Sequence, residues 1–190
     1  MIKYKGIDIM NELINIIIIA VGLSMDAFSL AILYGTLNFN KVKTLTLAGT
    51  VGVFHFFMPL LGNLIGLIIL ALLPIKPNTL VGIIFMIISI QMILSVFKEE
   101  EIVDLKGVFA TILFAFTVSI DSFSVGIGLS FVTGNYLVAV SIFSFISFLF
   151  TYTGLTIGGK LTKKFGKLST IMGGVILFLL SMVYLFFYRV

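Results

Sequence analysis

Six runs of apolar residues, near 13–34, 45–70, 79–97, 107–131, 136–158 and 168–188, take up most of this 190-residue chain. Crossing a hydrocarbon layer of about 30 Å takes roughly 20 helical residues, so each run is long enough for one span. Six spans with short connections leave no room for a soluble domain beside them. The composition agrees, with 60% of residues hydrophobic and only 11% charged, outside the globular range. The chain therefore reads as an all-α integral membrane protein, a single membrane domain over 1–190 with six transmembrane helices. A nucleotide-driven pump is excluded, because no G-x-x-x-x-G-K-[ST] motif is present and no domain is left to carry one.

The net charge of +4 does not point to nucleic acid, since the basic residues sit mostly between the apolar runs, where lysines set topology and meet lipid headgroups. Connections after runs 1, 3 and 5 hold Lys41, Lys43, Lys98, Lys106, Lys160, Lys163, Lys164 and Lys167; the opposite side has Lys3, Lys5, Lys76 and Arg189. The positive-inside rule then places the first set in the cytoplasm, with both termini extracytoplasmic. Asp26 inside the first apolar run argues against a cleaved signal peptide there. Tyr34, Tyr136 and Tyr188 fall near span ends, as interfacial anchors do. With no cysteine in the chain, disulfides and thiolate ligands are ruled out.

The string Ser24-Met25-Asp26-Ala27-Phe28-Ser29-Leu30-Ala31-Ile32 returns as Ser119-Ile120-Asp121-Ser122-Phe123-Ser124-Val125-Gly126-Ile127, 95 positions later and half the chain away. The chain thus reads as two copies of a three-span unit, about 13–97 and 107–188. An odd number of spans per copy makes the second enter the membrane from the opposite side. Two inverted three-helix repeats are a transporter architecture, with the site near the midplane where the repeats meet.

Of eight acidic residues, only Asp26 and Asp121 lie inside spans, each about fourteen residues in. A carboxylate at the bilayer centre costs about 2.5 to 3.5 kcal/mol on insertion scales, so two of them call for a compensating partner. On a straight helix Asp26 shares a face with Gly22 and Ser29, and Asp121 with Thr117, Ser124 and Gly128. Carboxylates and hydroxyls together suit a hard divalent cation such as Mg, Ca or Mn. The expected metal ligands are Asp26 and Asp121, supported by Ser29, Ser124 and Thr117. His55, the only histidine, stands one turn before Pro59 at membrane depth, and its ring either joins the site or bonds a neighbouring helix. Pro59 also gives the long second run a reason to tilt or kink. Asn63 and Gln91 read as interhelical hydrogen-bonding groups, and Gly62-x-x-x-Gly66 and Gly154-x-x-x-Gly158 as close-packing signals. The acidic stretch Glu99 to Asp104 reads as a solvated connector.

With these motifs in view, the chain resembles the MntP family of manganese efflux pumps, in the LysE-type exporter superfamily. The residues that carry the likeness are Gly22-Leu-Ser-Met-Asp-Ala-Phe-Ser29 and Thr117-Val-Ser-Ile-Asp-Ser-Phe-Ser-Val-Gly-Ile-Gly-Leu-Ser-Phe131, with Pro-Leu-Leu-Gly at 59–62. The resemblance implies Mn(II) export, by secondary transport, with Asp26 and Asp121 as the family's aspartates; the metal is cargo, and no cofactor is implied. Such pumps tend to carry a glutamate where this chain has His55, a change that adds a nitrogen ligand in place of an oxygen one. The second motif is also similar to a related branch of sporulation membrane proteins. Two other functions therefore stay open at this point: a scaffold in the membrane, and an exporter of a small organic cation or amino acid. An enzyme is not expected, since the two aspartates stand without other catalytic groups, and self-association is left open.

Overall fold

The computed structural model describes residues 2–72, 76–98, 105, 107–160 and 163–187. Its elements are α1 (Ile2–Gly35), α2 (Lys41–Leu72), α3 (Pro77–Ser95), α4 (Gly107–Val118), α5 (Ile120–Val132), α6 (Tyr136–Ile157) and α7 (Lys163–Met182), the last continuing into a π-helical turn at Val183–Phe187. Local chemistry sets several of the ends. Asn40 caps α2 by accepting a 2.8 Å bond from the Lys43 amide, and Pro77 opens α3 at the position where its missing N–H costs nothing. Asn38 takes the left-handed turn after α1 (φ 51°), a conformation its short polar side chain tolerates.

Five helices are long and apolar enough to cross a membrane, and α4 with α5, bent by 45° at the break, reaches that length and apolarity only as a pair. Phe57, Leu64, Phe109 and Phe145 are all more than half exposed, an apolar surface of the kind that lipid or a partner covers. The expected straight span over 107–131 is corrected: the helix breaks at Ser119 (φ −105°, ψ 5°). By contrast α2 continues through Pro59 as one element of 32 residues. At 1.5 Å per residue that is about 48 Å, so it must lie tilted. The connector with Glu99, Glu100, Glu101, Asp104 and Lys106 lies outside the described residues, as do Tyr188 and Arg189.

The two halves interlock rather than stand side by side. In the first half α1 packs on α6 and α7, α2 on α5 and α6, and α3 on α7 and α5. Exchanging α1, α2 and α3 for α4–α5, α6 and α7 returns the same set of pairs. Individual contacts follow the same exchange. Ser89 Oγ donates to the Gly174 carbonyl at 2.8 Å, and Ser181 Oγ to the Gly82 carbonyl at 2.8 Å. Ser24 meets Ser147 at 2.8 Å, while Ser119 meets His55 at 2.8 Å. A side chain on Gly62 or Gly66 would strike the carbonyls of Phe123 or Ile127, and one on Gly154 or Gly158 those of Phe28 or Ile32. In each pair, residue and partner are both replaced by counterparts in the other half, the pattern that a twofold relation produces. The counterparts lie 95 positions apart between α1 and α4–α5, and 92 apart for the other helices.

Candidate functional site

The break at Ser119 builds the site. It begins a new helix, and Asp121 falls in its first turn. Unpaired amides and the helix dipole favour an anion at that point. Asp121 Oδ1 accepts the Ser122 amide at 2.7 Å, and its other oxygen, Oδ2, is buried without a hydrogen-bond partner. Asp26, midway along α1, lies close enough for its charge to act directly on Asp121. The two half-buried carboxylates, nearly a hundred residues apart in sequence, thus face each other.

Two apolar clusters enclose them. On one side Ile16, Ile19 and Leu23 of α1 pack with Val125 and Leu129 of α5 and Phe143 of α6, none more than 1% exposed. On the other, Ala27, Ala31 and Tyr34 of α1 pack with Phe114, Ala115 and Val118 of α4 and with Leu47 and Val51 of α2. Two like charges between apolar layers repel strongly in a low dielectric, and a cation between them turns that repulsion into attraction.

The other expected ligands fare unequally. Ser29 is buried one turn beyond Asp26, with α7 closing on it through Gly166, where a side chain would come within 3.1 Å of the Ser29 hydroxyl. Ser124 is half-buried one turn beyond Asp121. Thr117 is exposed and spends its hydroxyl on the Leu113 carbonyl at 2.9 Å. The straight helix on which it was expected to share a face with Asp121 is interrupted between them, at Ser119. His55 is fully buried, but among the described residues no third His, Cys, Asp or Glu joins the aspartates in a metal-holding group. Its Nδ1 sits 3.0 Å from the Val51 carbonyl and 2.8 Å from Ser119 Oγ. Its Nε2 is buried without a hydrogen-bond partner among the described residues. His55 therefore touches the site through Ser119, two residues before Asp121.

Three polar groups stand differently from what the sequence suggests. The Tyr136 hydroxyl donates to the Pro59 carbonyl at 2.7 Å, Asn63 Oδ1 is buried without a partner, and Gln91 is exposed on the outside of α3. Tyr34 is no exposed anchor, being buried edge-on against Phe114. Ser119, Ser24 and Ser147 were missed as site-building residues. The signal for the first two was their place two residues before each aspartate.

Interlocked helices long and apolar enough to cross a membrane, with two half-buried carboxylates among them, define an integral membrane protein. A family model described as "Putative manganese efflux pump" matches residues 38–185, and the chain belongs to this family, MntP. It is similar to proteins named "Putative manganese efflux pump MntP" from three bacteria. Identity is 36% to that of Halalkalibacterium halodurans (88% of this chain, 93% of the relative). It is 32% to that of Bacillus pumilus (90% and 93%) and 32% to that of Geobacillus thermodenitrificans (94% and 98%). No solved structure matches the chain.

Proposed function

We propose that this protein exports a divalent metal cation, Mn(II) foremost, across the plasma membrane as a secondary transporter, and that Asp26 and Asp121 hold the ion. The observation that carries the reading is the buried, unpartnered Oδ2 of Asp121 within the electrostatic reach of Asp26. An oxygen-rich site without thiolate suits Mn(II) by its hardness, and the family's name supports the same ion. Ser29 and Ser124, each one turn beyond an aspartate, supply further oxygens once the ion draws α1 and α5 together. His55 supports the site from α2 by fixing Ser119, and is not itself a first-choice ligand.

The reciprocal contacts support two three-helix repeats, 13–97 and 107–188, of inverted orientation. In such a pair, exchange of conformation between halves moves access from one face to the other around a fixed ion. The lysine distribution supports cytoplasmic placement of the connections after the first, third and fifth spans, with both termini outside. The chain acts as a carrier, with no chemical step on its cargo. Total cellular metal, measured by mass spectrometry in Mn-sensitive cells after a manganese challenge, tests the reading. Cells with wild type are expected to hold less manganese than cells with Asp26→Ala or Asp121→Ala. Equal manganese in all three, with membrane insertion verified, rejects Mn(II) export.

A further inference from the structure

Glu12 stands near the start of the apolar part of α1, Met10–Gly35, fourteen residues and roughly 21 Å of helix before Asp26. Its Oε1 reaches the connection between α5 and α6, in the other half of the chain. It accepts hydrogen bonds from Thr133 Oγ1, from the Gly134 amide at 2.7 Å and from the Asn135 amide at 3.4 Å. Thr133 closes α5 as its C-cap, and Asn135 opens α6 without capping it by its own side chain. A carboxylate from α1 thus occupies the N-terminal mouth of α6, where amides lack partners and the dipole favours negative charge. One oxygen joins three helices.

Along α1 between Glu12 and Asp26, Ile16, Ile19 and Leu23 belong to a buried apolar cluster that also holds Val125 and Leu129 of α5 and Phe143 of α6. α1 and α5 must separate there for an ion to pass. The opposite mouth is fastened by different chemistry. The residue 95 positions after Glu12 is Gly107, which has no side chain to offer. There, among the described residues, Lys43 Nζ of α2 donates to Thr111 Oγ1 of α4 at 2.7 Å.

We propose that Glu12 is the latch of the gate at its own mouth, holding α1 to the α5–α6 connection, and that it releases Thr133 and Gly134 each time the ion leaves by that side. This rests on the ion site proposed above. Charge-assisted hydrogen bonds to three donors make the latch strong, and its position at the surface lets water replace those bonds when it opens.

The chain contains no cysteine, so a single introduced thiol reports opening without background. Ile19→Cys, at a position wholly buried between Glu12 and Asp26, is labelled with a membrane-impermeant maleimide in whole cells and in inside-out vesicles, which present the two faces in turn. Adding Glu12→Ala is expected to speed labelling about tenfold from the Glu12 face alone, consistent with losing strong bonds to a charged acceptor. Thr133→Val should act in the same direction by less, and Lys43→Met should leave that face unchanged. Ala20→Cys serves as a second reporter should Ile19→Cys fold poorly. Unchanged labelling with Glu12→Ala overturns the latch, and so does an equal rise from both faces, which marks a loosened fold. Labelling needs no ion. Normal export by Asp26→Asn would sink the ion site without touching these rates.

Discussion

The hydroxyl of Ser119 lies 2.8 Å from Nδ1 of His55, tying the break in the fourth span to α2 two residues before Asp121. The counterpart contact joins Ser24 to Ser147 at 2.8 Å, so each aspartate-bearing helix is pinned to the opposite half by the serine that precedes its aspartate. Ser119→Ala removes one buried hydrogen bond, worth about 1 kcal/mol. The melting temperature in detergent should fall by about 2–4 °C. His55→Ala also empties a buried ring position and should cost more. The double variant should melt close to His55→Ala alone, because both changes delete the same bond. Additive losses would show that the two residues act independently.

The aspartate pair makes a prediction about stability that runs opposite to its effect on transport. Two carboxylates facing each other between apolar layers strain the ion-free protein, so Asp121→Asn should raise its melting temperature. Mn(II) should stabilise wild type instead. At a free concentration a hundredfold above Kd the gain is about 2.7 kcal/mol, or about 5–10 °C at the usual scaling. Thermal unfolding with and without Mn(II) checks both directions, and Asp121→Asn should show no metal-dependent shift.

Glycine contacts between the halves are tight enough to predict which substitutions the fold rejects. A methyl on Gly62 would lie 2.0 Å from the Phe123 carbonyl oxygen, and one on Gly66 2.1 Å from that of Ile127. Both neighbours are backbone and cannot swing away, so Gly62→Ala and Gly66→Ala should push α2 off α5 and cost about 1–3 kcal/mol or more each. A methyl on Gly49 meets nothing within 4 Å, and Gly49→Ala should be silent. Size-exclusion profiles of the purified variants distinguish these outcomes.

Thr117→Val should export Mn(II) at the wild-type rate. The Thr117 hydroxyl is exposed and bonds only the Leu113 carbonyl of its own helix. A loss of transport comparable to Asp121→Asn would place Thr117 at the ion.

The spans were legible because each is an unbroken apolar run, and Asp26 and Asp121 because charge at membrane depth is rare. The bend was not. Residues 115–120 contain neither proline nor glycine, so nothing in the pattern marks Ser119, and extending a straight helix through it put Thr117 on one face with Asp121. Repetition of the aspartate motif fixed the spacing of 95 for one helix only. The shift to 92 for the others became visible once Ser89 and Ser181 were seen to exchange partners. Glu12 was read as an acid outside the spans, since its partner Thr133 is 121 residues away and no local signal connects them. His55 had two readings in sequence, and the hydrogen bond from its Nδ1 side to Ser119 separates it from the cluster of acids.

The account's central claim is that Asp26 and Asp121 together carry a divalent metal through the membrane. Its most direct test is Mn(II) flux into liposomes containing the purified protein, followed by quenching of an enclosed metal-sensitive dye. Wild type should quench the dye, and Asp26→Asn and Asp121→Asn, reconstituted at equal density, should each match protein-free liposomes. Flux at the wild-type rate through both variants would contradict the account.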